Sequence, residues 1–464
     1  MEIGKIILQG IDVVSIENIS ITAEFNEHAT LKIKCLVEDE ALKECGKFLS
    51  SNQEITLKEE DDILFQGNVV GLRGGKDSYK SWIEFVVKNS TWMLDKDKKS
   101  KSYQDVTKTY QDLVETKTKC LFQTDNKVVG ELVLQYQETD WQFLCRIASK
   151  CNQPIYADMT KTDSILYWGV DKNKSAKEPE IRLLSSEKDL EWVKRINGNE
   201  DMTLLEDEAT IYTIESPDFF KLGDAILVDG KELIIYKLSI NADRAEVCGT
   251  YYAKRASALV YPTIYSYDMA GVSLQGEVIA AQGTDVKVHL SIDDKQDEEG
   301  AYWFPFSAMQ AAADGSGWYY MPEKGDCVKV CIPAWEEKGT FAVSAVSTYD
   351  GKSDAEDKMA DTSVKYMLNP SGKEMQLTNT GISAGVSGGD SSINMDINGN
   401  VNLFGKESYS IEASEAVTLF AMKNMEIKAS TSIDLKARTT GELIFDENGE
   451  ITELGGQVNI NAED

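Results

Sequence analysis

Cys327 and Cys331 stand four apart in a run that alternates apolar and polar residues, so both fall on one face of a strand. That is half of a zinc site, and a tetrahedral site needs a second pair or histidines nearby. The chain has only His28 and His289, far apart in sequence, so neither a metal nor a cofactor is expected. Gly71-Leu-Arg-Gly-Gly-Lys-Asp77 has the glycines and lysine of a phosphate loop. Its spacing is one residue short, and Asp77 stands where a hydroxyl should hold magnesium, so it reads as a hairpin turn, placed at Gly74–Asp77. Asn394-x-Asp396-x-Asn398-Gly399 opens like a calcium loop, but Gly405 occupies the position of the bidentate carboxylate. Among 78 acidic residues many pairs suit glycoside hydrolysis, and none stands out. No catalytic residue is assigned.

The elements that would carry such groups are mostly strands. The 464 residues favour several domains, and the net charge of −30 argues against a nucleic-acid partner, whose phosphates call for Lys and Arg. Trp303, Phe306 and Trp318 resemble a base-stacking platform, but that charge opposes the role. Eight cysteines, no basic-apolar leader and no apolar run of about 18 residues predict free thiols and assembly in a cytoplasm.

Residues 1–103 read as a first β unit, with alternating Ile19–Phe25, Ala29–Cys35, Ile63–Leu72 and Trp82–Val87. Residues 104–163 change to a helical period. Val106, Tyr110, Leu113 and Val114 share one face, and Thr139-Asp-Trp-Gln142 is a capping box opening a second helix. Trp141, Phe143 and Cys145 are expected to pack in a core. Residues 164–257 return to strands (Ser164–Trp168, Glu208–Ile214, Ala225–Val228, Glu232–Tyr236). Residues 271–347 give about five short strands, Trp318–Asp326 counted among them, the size of a small OB-type barrel. Residues 348–370 are a polar linker.

Residues 371–464 carry an octad repeat. Ile393, Met395 and Ile397 are followed eight on by Val401, Leu403 and Gly405, then by Tyr409, Ile411 and Ala413. Val417, Leu419 and Ala421 come next, then Met425, Ile427 and Ala429, and last Ile433, Leu435 and Ala437. Each octad is one short strand with one apolar face and a turn. Such a chain cannot close a core alone, whereas three wrapped chains can. The apolar positions of the octads are therefore the expected trimer core.

The octad tail resembles the needle of the VgrG and phage-tail central-spike family of contractile injection systems. Glu138-Thr-Asp-Trp-Gln-Phe-Leu-Cys-Arg-Ile-Ala148 is similar to the family's hub helix. Trp303 to Val346, with Gly315, Gly317, Pro322-Glu-Lys-Gly-Asp326 and Val328-x-Val330, is similar to its OB signature, although Val343-Ser-Ala-Val346 stands where a glycine is usual. The resemblance implies a mainly β chain: two hub β-barrels with an inserted helical segment, an OB-type barrel and a C-terminal trimeric β-helix (β-prism) needle. It implies a homotrimer that joins a hexameric inner-tube protein and baseplate proteins to the needle, meets a target membrane only on firing, and leaves the cell with the particle. A PAAR-like tip protein would dock on Val458 and Ile460, because the last 94 residues hold no histidine or cysteine for a metal tip. The alternative function is a tail-associated hydrolase delivered by the needle.

Overall fold

Strands within residues 6–88 and 182–254 build one large antiparallel sheet. The computed structural model describes residues 5–40, 42–43, 53–161, 163, 165–178, 180–200, 202–243, 247–312, 314–346, 359–386, 388–437, 441–445 and 448–457. The chain divides into two units, Met1–Thr348 and Tyr349–Asp464.

In the first unit, strands β1 (Ile6–Gln9), β2 (Ser15–Glu24), β3 (Thr30–Val37), β4 (Glu54–Glu59), β5 (Asp62–Asp77) and β6 (Lys80–Lys88) lie in the order β1-β4-β5-β6-β3-β2. Leu31, Ile33 and Cys35 on β3 alternate inward, as do Ile83, Phe85 and Val87 on β6, and all are buried. Burial pushes the Cys35 thiol up to about 12, which leaves it an inert core residue. The turn between β5 and β6 is at Ser78 and Tyr79, beyond the expected Gly74–Asp77, and Gly75 pairs with Trp82 inside the ladder. A Cβ at Gly75 would stand 3.0 Å from the Trp82 ring, so this glycine makes room for a neighbouring indole.

The second β region does not stand apart. Strands β12 (Arg182–Lys188), β13 (Thr210–Ser216), β14 (Ala225–Val228), β15 (Lys231–Asp243) and β16 (Val247–Lys254) continue the same sheet, because β15 pairs with β2. Ile21 stands opposite Ile240 in that seam, each 1% exposed. The apolar faces of both regions therefore merge into one core.

Between them lie β7 (Lys99–Tyr103), helix α1 (Tyr110–Glu115), β8 (Cys120–Phe122), β9 (Val133–Glu138), helix α2 (Asp140–Ser149), β10 (Ile155–Ala157) and β11 (Leu166–Trp168). The expected helical segment is thus part strand. Both helices start on capping boxes, Thr109 with Asp112 and Thr139 with Gln142. Val106 falls before α1. Trp141 and Phe143 pack in a separate core, with Cys145 against its edge. A third helix, α3 (Leu190–Asn199), interrupts the second β region.

Strands β17 (Ser273–Gln282), β18 (Asp285–Leu290), β19 (Trp303–Pro305), β22 (Cys327–Cys331) and β23 (Phe341–Ser344) make a five-stranded sheet, with the short pair β20 (Gln310–Ala311) and β21 (Gly317–Trp318) beside it. Its outer strands meet: Phe306 bridges Ala342, and Ser307 N donates to Ala342 O at 2.8 Å. The strand expected over Trp318–Asp326 stops at Trp318. Pro322 lacks an N–H and Gly325 turns at φ +94°, so this stretch forms a loop docked on β17 through Gly325 N and Val278 O at 2.8 Å. Cys35, Cys120, Cys145, Cys151 and Cys331 are free thiols, and Cys45 lies outside the described residues.

The second unit holds an antiparallel meander of β24 (Lys365–Leu368), β25 (Lys373–Thr378), β26 (Gly381–Val386), β27 (Ser391–Asp396) and β28 (Val401–Gly405), and a smaller one of β29 (Ile433–Ala437), β30 (Gly441–Phe445) and β31 (Ile451–Leu454). β24 falls in the stretch expected as linker, and residues 347–358 of that region lie outside the described residues.

Candidate functional site

Two groupings of residues follow from this fold, one in each unit. In the second unit the register of the larger meander gathers apolar side chains on one face. Met367, Met375, Ala384, Ile393 and Leu403 form one cross-strand row, and Leu377, Ile382, Met395 and Val401 form the next. The opposite face carries Gln376, Ser383, Asn394 and Asn402. The leucines, isoleucines, methionines and valine of those two rows remain 39–64% exposed, so the chain by itself leaves the face uncovered.

The octads are not uniform. Ile393 and Met395 pair with Leu403 and Val401 in a hairpin, so the first two octads run in opposite directions. Ile397 leaves the face. It sits in the hairpin loop, where Asp396 Oδ1 accepts the backbone N–H groups of Asn398 and Asn400 at 2.9 Å and Gly399 adopts φ +86°. The calcium-like Asn394–Gly399 motif is this turn. Among the described residues, 407–432 enter no strand and make no backbone–backbone hydrogen bond. Tyr409, Ile411, Val417, Leu419, Met425 and Ile427 in that stretch are 50–65% exposed. Ile433 and Leu435 return to a ladder, opposite Phe445 and Leu443. Val458 and Ile460 lie outside the described residues.

In the first unit the Glu138–Ala148 motif becomes a buried ion network. Arg146 grips Glu138 with two parallel bonds, Nε to Oε1 at 2.8 Å and Nη2 to Oε2 at 2.9 Å. Its Nη1 donates to Glu337 Oε1 at 3.1 Å, and Lys150 Nζ donates to Glu337 Oε2 at 2.8 Å. The Leu134 backbone N–H completes the shell of Glu337 at 3.0 Å. Burial opposes ionisation of Glu337, yet Arg146 and Lys150 hold its carboxyl below the usual glutamate range. Asp140 is likewise buried and is held low by Lys117 at 2.8 Å and Lys99 at 2.5 Å.

A second tie joins the same parts. The Ser102 backbone N–H donates to Asp293 Oδ1 at 2.8 Å, and Gln104 Nε2 reaches Val288 O at 3.1 Å. Glu337, in the loop between β22 and β23, was not legible as a partner of Arg146, since it is one acidic residue among 78. Its one local signal is its place in an apolar-flanked turn, Trp335-Glu-Glu337-Lys-Gly339.

His28 stands behind α2. Its ring is 4.3 Å from the Trp141 ring, centroid to centroid, and its Nδ1 lies 2.9 Å from Thr91 Oγ1. Burial lowers its pKa to about 4, although Asp95 Oδ2 lies 3.4 Å from Nε2 and pulls the other way. His289 bonds through Nε2 to Asp293 O at 2.9 Å. Trp303 and Trp318 are exposed, while Phe306 packs against the core of the five-stranded sheet around Val286, Val288 and Phe304. No helix among the described residues is long and apolar enough to cross a membrane.

No protein-family model matches the chain, and no curated protein is detectably similar in sequence. Solved structures do match. The E. coli c3393 protein is described as a component of the type VI secretion system with structural similarity to T4 bacteriophage tail proteins gp27 and gp5. It superposes with a TM-score of 0.54 at 14% identity, over 73% of this chain and 99% of its own. The lidless PdpA–VgrG complex gives a TM-score of 0.52 at 11% identity, over 84% of this chain and 93% of its own. The half-lidded Francisella PdpA–VgrG complex gives 0.51 at 11% identity, over 84% and 83%. Over the regions that superpose, the chain has the fold of these VgrG-like and gp27–gp5-like proteins.

Proposed function

We propose that the chain is the homotrimeric spike-hub of a contractile injection machine. Residues 1–257 form a hub of two barrel-like halves that seats a hexameric inner tube, with baseplate proteins around it. Residues 271–347 form an OB-type collar, residues 348–370 a linker, and residues 371–464 a β-prism needle that meets the target membrane on firing. Val458 and Ile460 dock a PAAR-like tip protein. The work comes from contraction elsewhere, so the chain acts as a mechanical part.

The observation that carries this reading is the second unit: apolar rows and octads that alternate correctly, yet are half-exposed in one chain. Strand-like apolar segments without intrachain partners are what a needle woven from several chains requires. Light scattering on the purified full-length protein is expected to give three times the chain mass of 51.6 kDa. A stable, well-folded monomer would overturn the proposal.

A further inference from the structure

Lys254, the last residue of β16, walls a cavity of about 200 Å³ together with Trp192, Tyr236 and Tyr261. Its side chain is 8% exposed, and its nearest carboxylate oxygen, Asp189 Oδ2, is 3.9 Å away, outside hydrogen-bond reach. Asp189 is already engaged, since its Oδ1 accepts the Trp192 backbone N–H at 3.0 Å and caps α3. Glu24, also on the wall, is paired with Lys237 at 2.8 Å.

The ammonium instead lies over aromatic rings, 5.5 Å from the Trp192 centroid and 5.3 Å from that of Tyr236. The indole N–H of Trp192 is buried and has no acceptor among the described residues. Buried donors are nearly always satisfied, so the unpartnered indole N–H of Trp192, on a residue that lines this cavity beside the Lys254 ammonium, points to an acceptor brought from outside. Burial holds the Lys254 amine below the ordinary lysine range against the pull of Asp189, Glu187 and Glu24, so it gains from an anion. The volume suits a single ring, since a dry cavity of about 150 Å³ holds benzene.

We propose that this cavity binds a small aromatic carboxylate. Its carboxylate accepts from Lys254 Nζ and Trp192 Nε1, and its ring lies against Tyr236 and Tyr261. The site is built from residues of one chain and does not rest on the spike reading.

The test titrates the full-length protein with benzoate by calorimetry and follows protection of Lys254 from reductive methylation by peptide mass spectrometry. Saturable binding is expected, with Lys254 protected. Lys254→Met and Trp192→Phe, the latter keeping the ring but losing the N–H, should each weaken binding roughly ten- to a hundred-fold. Trp192→Phe carries the test alone if Lys254→Met does not fold. The proposal is overturned by absence of saturable binding, by unchanged affinity in folded Trp192→Phe, or by equal methylation of Lys254 with and without benzoate.

Discussion

Arg146 Nη1 donates to Glu337 Oε1 at 3.1 Å across 191 positions of the chain, with both side chains at most 2% exposed. Helix α2 and the five-stranded sheet are thereby fastened by charge inside a region that excludes water. Such a contact contributes little net stability relative to an apolar pair, but removing one partner takes a hydrogen bond from a group that water cannot reach.

Glu337→Ala is therefore expected to destabilise the first unit by about 1–3 kcal/mol, since Arg146 Nη1 and the Leu134 N–H lose their buried acceptor while Arg146 keeps Glu138 and Lys150 keeps Glu131. Thermal or denaturant unfolding measures it. A loss within about 0.5 kcal/mol, as at an exposed site, would mean the network does not form.

His28 makes stability fall on mild acidification. Its folded pKa of about 4 lies below the ordinary 6.5, so between these values the unfolded chain binds more protons. Stability is full above pH 6.5 and is lost as pH falls toward 4, by roughly 3 kcal/mol for this largely buried ring. Glu337 and Asp140, both held low, lose their contributions only further down, below their ordinary values of 4.5 and 3.8. Urea melts of wild type and His28→Gln from pH 7 to pH 4 check this, and the variant's profile should be flatter in that window.

Thr139→Ala should cost about 1–2 kcal/mol, because Thr139 Oγ1 accepts the Gln142 N–H at 3.1 Å and also donates to Asp95. Thr139→Ser, which keeps the hydroxyl, is expected to recover most of that loss in the same unfolding assay.

Ile393→Asp and Ile427→Asp should abolish assembly while leaving the single chain folded, since both residues are exposed there. In an assembly that covers them, an unpartnered carboxylate costs several kcal/mol at each copy. Asn394→Asp, on the opposite face of β27, and Asn424→Asp, in a polar run between octads, are the controls and should assemble normally. Light scattering separates the outcomes. Assembly of both isoleucine variants would place the interface elsewhere.

Local pattern was well legible in the sequence. Thr139-x-x-Gln142 announced α2, and the alternation of Leu31, Ile33 and Cys35 announced β3, because neighbouring residues decide both features. The octad period was legible too, yet it did not reveal that Ile393 and Leu403 face each other in a hairpin while Ile397 turns away. That depends on the Asp396–Asn400 loop. β12 escaped because all seven of its residues are exposed, so it lacks an apolar-polar rhythm. α3 had a signal, Asp189 as a cap before Val193 and Ile196, but Gly198 and Asn199 blurred its end. The pairing of β15 with β2 and the choice of Glu337 are long-range, and nothing local encodes them.

The seam between β2 and β15 also sets a timetable. Ser20 Oγ meets Asn241 Oδ1 across 221 positions, so β2 must wait at the ribosome with one edge bare while the intervening chain is made. At about 5–20 residues per second that wait is on the order of ten to forty seconds, ample time for a stray strand to add to the edge. That edge is covered only once residue 243 has been made, so closure of the large sheet is gated by translation rather than by diffusion of the finished chain.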